Sequence, residues 1–287
     1  NLEPDPPTRE KSSVRHHYND SYLGALDELI RNLGSHHLSV VLSMHQWAWS
    51  PGLHPEGKNA HTMDHGLGLP AWLYSRGGYD QIRARHDFFT NHHAIFADYS
   101  AQDGLVDAWR MVADRYKNTP AVVGADLLNE PYPAMEGQHP RDVGYTLTEL
   151  VGVLASAVQK ADPHLLLIFE DDARTPVTRL PELPNLVLSY HSYPKAWKAD
   201  GEEKFRKQLD RSRAWNIPLW IGEFQKFGGA TPEGWQANLH AMLEDCRRDN
   251  VGWAYWAYWR ASQPLIGDKE RVGESHEDVV QALRAGF

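Results

Sequence analysis

The sequence predicts an α/β fold built on a parallel sheet with helices on both faces. Three observations carry that prediction: short aliphatic and β-branched runs recur along the chain, segments of helical apolar spacing separate them, and each run ends in polar or acidic side chains.

The elements follow in order. Tyr18–Gly34 places Leu23, Leu26, Leu29, Ile30 and Leu33 at helical spacing and stops at a glycine, which predicts a surface helix. The aliphatic run Leu38–Leu42, within His37–Met44, reads as a buried strand whose far end delivers His45 and Gln46. Trp47–Asp80 is rich in Gly, Pro and Trp and reads as a long binding loop carrying Trp47 and Trp49. One helix covers part of His86–Tyr99 and another spans Leu105–Tyr116. The strand Ala121–Leu128 then runs into Asn129 and Glu130. Helix Thr146–Lys160 precedes strand Leu165–Phe169, and a shorter crossover leads to strand Leu186–Tyr190, followed by His191 and Tyr193. Helix Phe205–Trp215 feeds strand Pro218–Gly222, which ends on Glu223, and helix Trp235–Arg248 feeds strand Val251–Tyr255. Parallel strands place all these ends on one sheet edge, where ligand and catalytic groups sit in both barrels and doubly wound sheets.

Composition narrows the function. The 287 residues suit one domain, read as a single catalytic unit over 1–287. With 38 acidic against 29 basic residues the net charge is −9, and no basic stripe is present to meet phosphates, so nucleic acid is not an expected partner. The lone Cys246 excludes an intrachain disulfide and a Cys-rich zinc site. Among 16 histidines the adjacent pairs point different ways along a helix or strand, and no H-E-x-x-H or C-x-x-C spacing occurs, so no catalytic metal is expected. No G-x-G-x-x-G or G-x-x-x-x-G-K-[ST] phosphate loop and no G-x-S-x-G elbow appears, and no cofactor is expected. No apolar run is long enough for a membrane span, and the opening NLEPDPPTRE lacks the apolar core of a signal peptide. Compartment and oligomeric state stay open, with secretion favoured for a polymeric substrate.

The chemistry centres on two carboxylates. Glu130 and Glu223 each directly follow an apolar strand, and a closed barrel brings such positions face to face across the sheet edge. Paired carboxylates in an aromatic setting perform glycosidic hydrolysis, one as acid and then base, the other attacking the anomeric carbon or activating water; the plainer alternative is two polar strand-end caps. Asn129 reads as a donor to the sugar hydroxyl beside the scissile bond, or as a turn-forming residue. His191 and Tyr193 read as groups that keep Glu223 charged and aimed, with Tyr193 the preferred partner, or as packing at the pocket mouth. His45 and Gln46 face ring hydroxyls from across the pocket. Trp259 reads as a stacking platform and Trp47 and Trp49 as further walls of a sugar-sized cleft, core packing being the alternative for a tryptophan.

The stretches VVLSMHQWAWSPG, AVVGADLLNEPYP, LVLSYHSYP, LWIGEFQ and VGWAYWAYW resemble, in order, the strand-end motifs of glycoside hydrolase family 5, the retaining (β/α)8 glycosidases. The resemblance runs from about His37 to Trp259, and N-E-P on one strand with G-E-F three strands later is its most specific part. It implies a (β/α)8 TIM barrel with Glu130 as acid/base, Glu223 as nucleophile, Asn129 as the 2-hydroxyl partner, and His191 and Tyr193 around the nucleophile. His45 matches a pocket histidine and Trp259 the stacking tryptophan. The expected substrate is a β-linked oligo- or polysaccharide, first a β-1,4-glucan cut internally. The alternatives are β-mannan, exo-β-glucosides, a glycolipid of the endoglycoceramidase type, or a catalytically weak carbohydrate-binding scaffold. MHQ and GLGLPAW look like the glycolipid branch, while Ser43 and Trp47 stand where that branch has Asp. Six strands are legible where the barrel has eight; in the family's order they are the third to eighth, so the first two are expected to be missing, and either an incomplete N-terminus or an unusually open barrel is expected.

Overall fold

Helix α1, Asp20–Ser35, begins where Asn19 turns its side-chain oxygen onto the amide of Tyr22 at 3.0 Å and buries Leu23 and Ile30. The computed structural model describes residues 2, 8–10, 13–46, 99–131, 146–171, 176–225, 232–257 and 277–284. The chain divides into two units, Asn1–Asn185 and Leu186–Phe287.

In the first unit a short antiparallel hairpin, β1 (Thr8–Glu10) with β2 (Ser13–Arg15), precedes α1. Strand β3 (Val40–Ser43) is shorter than the span the sequence predicts, because His37 sits in the left-handed region at φ 59 and the extended backbone starts only after it. Helix α2 (Tyr99–Tyr116) starts at the last residue of the expected His86–Tyr99 helix, the rest of which lies outside the described residues. It leads to β4 (Val122–Asp126), then α3 (Leu147–Ala161) and β5 (Leu166–Glu170). The three strands are parallel in the order β3, β4, β5, with Ser43 opposite Asp126 and Asp126 opposite Ile168.

Two devices fix this half. A capping box opens α3: the Glu149 amide donates to Thr146 Oγ1 at 3.3 Å, while Glu149 Oε2 accepts from the Thr146 amide at 2.8 Å. The Thr146 amide and then its hydroxyl, which also donates to Oε2 at 2.9 Å, hold the Glu149 carboxyl below its ordinary range. Helix α3 then buries Leu147, Leu150, Val151, Leu154 and Val158, each aliphatic side chain contributing about 1.5–3 kcal/mol. From α2, the buried indole of Trp109 donates to the carbonyl of Leu127 at 2.8 Å, pinning the chain just before Asn129.

The second unit repeats the pattern. Strand β6 (Leu186–Ser192) runs two residues beyond its predicted end and is followed by a π turn at Trp197–Gly201, then α4 (Glu202–Trp215), β7 (Leu219–Phe224), α5 (Pro232–Asp249) and β8 (Gly252–Tyr255). A helix not read from the sequence, α6 (Glu277–Arg284), buries Val279, Ala282 and Leu283. The strands are parallel in the order β6, β7, β8. Among the described residues, strand and helix alternate as in a (β/α)8 barrel, and the six parallel strands are the six legible in the sequence.

Trp197 anchors the segment that follows β6. Its indole N–H donates to the buried carboxylate of Asp245 at 2.7 Å, its amide donates to Asn238 Oδ1 at 2.6 Å, and its ring meets Phe205 edge-on. Gly201 is required here, since a Cβ would lie 2.6 Å from the Trp197 ring. The Asp245 charge and burial together push the neighbouring Cys246 thiol up to about 12, burial being the larger cause. Asp245→Ala removes the acceptor that the buried Trp197 indole N–H meets at 2.7 Å and is expected to lower stability by about 2–3 kcal/mol, read as a shifted midpoint in urea denaturation with an unchanged m-value.

Candidate active site

The predicted site residues fall on both units, and each half has its own geometry. On the first unit, His45 and Gln46 follow β3 while Asn129 and Glu130 follow β4. Parallel pairing brings these strand ends side by side, and the Asn129 amide donates to the Met44 carbonyl at 3.2 Å. Gln46 is 2% exposed. Its Nε2 donates to the carbonyls of Asn129 at 2.6 Å and Glu130 at 2.8 Å, and Asn129 Nδ2 donates back to the Gln46 carbonyl at 2.9 Å. Glu130 holds a left-handed backbone at φ 43, a region a glutamate adopts only when its surroundings enforce it. One step earlier, Ser43 Oγ donates to Asp126 Oδ2 at 2.7 Å, tying β3 to β4.

On the second unit, the nucleophile candidate is 9% exposed and sits on β7. Tyr193 donates its phenolic proton to Glu223 Oε2 at 2.6 Å, and His191 Nδ1 lies 3.4 Å from the same oxygen. A short O–H···O⁻ bond favours the charged carboxylate and fixes its direction. His191 reaches it because the β6–β7 register slips by one: Tyr190 opposes Ile221, while His191 opposes Glu223. Gly222 is the extra residue of that bulge. Lys204, on α4, donates to the His191 carbonyl at 2.8 Å with its ammonium over the Tyr190 ring.

Sequence reasoning missed three contributors. Gly222 has no Cβ because one would lie 2.5 Å from Ser189 Oγ and 3.1 Å from His191 Nε2. Ser189, buried on β6 two residues before His191, is the other neighbour of that missing Cβ, and Lys204 secures the His191 carbonyl. A glycine immediately before a strand-end glutamate was the available signal, since glycine inside a strand marks a bulge or a close approach. At the end of β8, the Trp256 amide donates to the Phe224 carbonyl at 2.8 Å, and Phe224 meets Trp253 and Tyr255 edge-on. Trp47, Trp49 and Trp259, with the loop Trp47–Asp80, lie outside the described residues.

A family model described as Cellulase (glycosyl hydrolase family 5) matches residues 7–262. An endoglycoceramidase of Cyanea nozakii is 23% identical over 284 residues, covering 85% of this chain and 55% of that protein. An endoglucanase of Paenibacillus polymyxa is 29% identical over 192 residues, covering 53% of this chain and 46% of that one. The chain thus spans about half the length of the curated relatives it matches. Among solved structures, the lactosyl-enzyme intermediate of endo-glycoceramidase II from a Rhodococcus species superposes with a TM-score of 0.71 at 18% identity, over 93% of this chain and 66% of that one, a likeness of fold.

Proposed function

The chain belongs to glycosyl hydrolase family 5, and from that premise we propose that it hydrolyses β-glycosidic bonds with retention of configuration. The observation that carries this reading is the 2.6 Å bond from Tyr193 to Glu223 Oε2, with His191 on the same oxygen. A carboxylate oxygen that accepts a short phenolic hydrogen bond and faces an imidazole is fixed in direction, which suits a nucleophile better than a proton donor.

The chemistry then runs in two displacements. Glu223 attacks the anomeric carbon, forming a glycosyl ester as the bond to the leaving oxygen breaks. Glu130 gives its proton to that oxygen. Water then attacks the same carbon, Glu130 takes its proton, and the ester bond to Glu223 breaks. Asn129, His45 and the tryptophans Trp47, Trp49 and Trp259 are assigned to the sugar, Asn129 through the 2-hydroxyl.

The sequence reading makes the substrate a β-1,4-glucan cut internally. One observation favours a second reading, a glycolipid whose β-glucosyl unit is linked to ceramide: the endoglycoceramidase relatives align over 85% of this chain, the endoglucanase over 53%. Proton NMR of the first-formed product, with β-glucan, β-mannan and lactosylceramide offered in parallel, tests both. The β-anomer is expected to appear first and then mutarotate. An initial α-anomer would defeat the nucleophile assignment, and no turnover on any substrate, with retained sugar binding, would favour the scaffold reading.

A further inference from the structure

Glu130 stands at φ 43 on a residue type that rarely visits this region. Its backbone lies one residue past the last rung of the β3–β4 ladder, the Asn129 amide on the Met44 carbonyl. Beyond that rung the carbonyls of Asn129 and Glu130 are met by the Gln46 side chain, whose two amide protons go one to each, at 2.6 and 2.8 Å. Asn129 Nδ2 closes the loop on the Gln46 carbonyl at 2.9 Å. At 2% exposure, Gln46 has almost no surface to offer a sugar.

We propose that Gln46 is a positioning residue for the Glu130 carboxyl, holding the left-handed backbone that aims it, and not a contact to the substrate. This rests on the acid/base role proposed above for Glu130. Rotation at Glu130 φ swings the Cα–Cβ bond, so releasing the two carbonyls moves the carboxyl while leaving the strand in place. General acid catalysis needs heavy-atom approach near 3 Å, so a shift of about 1 Å costs it heavily. What suffers is the protonation of the departing oxygen, and only for leaving groups that need it.

The test uses Gln46→Met, equal in length but without donors, on two aryl β-cellobiosides. With a phenyl leaving group kcat/KM is expected to fall about 100-fold, and with a dinitrophenyl group, which departs without a proton, to stay within about threefold. Equal losses on both substrates would mark Gln46 as a sugar contact or as purely structural and would overturn the proposal, as would no loss on either. Glu130→Ala is measured alongside. If it shows no leaving-group dependence, the acid/base reading itself fails; if it does and Gln46→Met does not, only the positioning role fails. Should Gln46→Met not fold, Gln46→Asn, which withdraws the amide by one methylene, carries the same comparison with an intermediate phenyl penalty expected and equal losses again overturning.

Discussion

Glu223→Ala is expected to lower hydrolysis by about four to six orders of magnitude, the scale seen when a covalent nucleophile is removed. The more telling result is the product formed when azide is added. Truncation to alanine leaves room for a small anion where the carboxylate stood, and azide attacking from that side displaces the leaving group once. The expected product is the α-glycosyl azide, with inverted configuration. Glu130→Ala should do the opposite: Glu223 still forms the glycosyl ester, azide replaces the unactivated water, and two displacements give the β-glycosyl azide. Nuclear magnetic resonance of the anomeric proton distinguishes the two, and exchanged stereochemistry between the variants would exchange the roles of Glu130 and Glu223. Tyr193 donates to Glu223 Oε2 and His191 Nδ1 lies 3.4 Å from the same atom, so both orient the carboxylate that the first variant removes.

Gly222→Ala is expected to cost about 100-fold or more in kcat with little change in KM, since a displacement of about 1 Å at the reacting group is enough. A Cβ at this position would sit 2.5 Å from Ser189 Oγ and 3.1 Å from His191 Nε2, so both must yield. Overpacking of this kind also costs about 1–3 kcal/mol of stability. The two effects separate in a double variant: Ser189→Ala removes the closer clash, so Gly222→Ala with Ser189→Ala should recover most of the melting temperature while the imidazole stays displaced and kcat stays low. Recovery of both together would mean that the rate loss was only a loss of folded protein.

Much of this site was legible because its chemistry sits at strand ends. Asn129-Glu130, Glu223, and His191 with Tyr193 each come directly after an apolar run, so the continuous aliphatic runs of a parallel sheet were enough to put each of them at the C-terminal end of its own strand. The glycine before Glu223 signals a bulge or a close approach, but the register that sets His191 opposite Glu223 was not legible, because which neighbour that glycine meets depends on another strand. Gln46 reads as a pocket-facing amide, yet its N–H groups turn to two carbonyls that the ladder leaves behind. Which way a strand-end amide turns depends on backbone groups many residues away, a fact no local pattern encodes. The eight-residue α6 is too short for helical periodicity to stand out, and α4 starts at Glu202, ahead of the predicted Phe205, directly after the π turn that Trp197 anchors.

Five residues other than glycine hold a left-handed backbone among those described, and four of them precede a parallel strand: His37 before β3, Asn185 before β6, Asn216 before β7 and Asn250 before β8. Only Glu130 lies at the opposite, chemical end of a strand. Thermal robustness and turnover are thereby addressable at separate ends of the sheet. Asn185 is engaged through its side chain with the Pro163 carbonyl at 3.0 Å, whereas Asn216 and Asn250 occupy turns whose backbone glycine adopts at lower cost, by a few tenths to about 1 kcal/mol each. Heat-hardened versions of this protein can be built at those two turns without disturbing the geometry around Glu130 or Glu223, and the one left-handed residue that should not be relaxed is Glu130 itself.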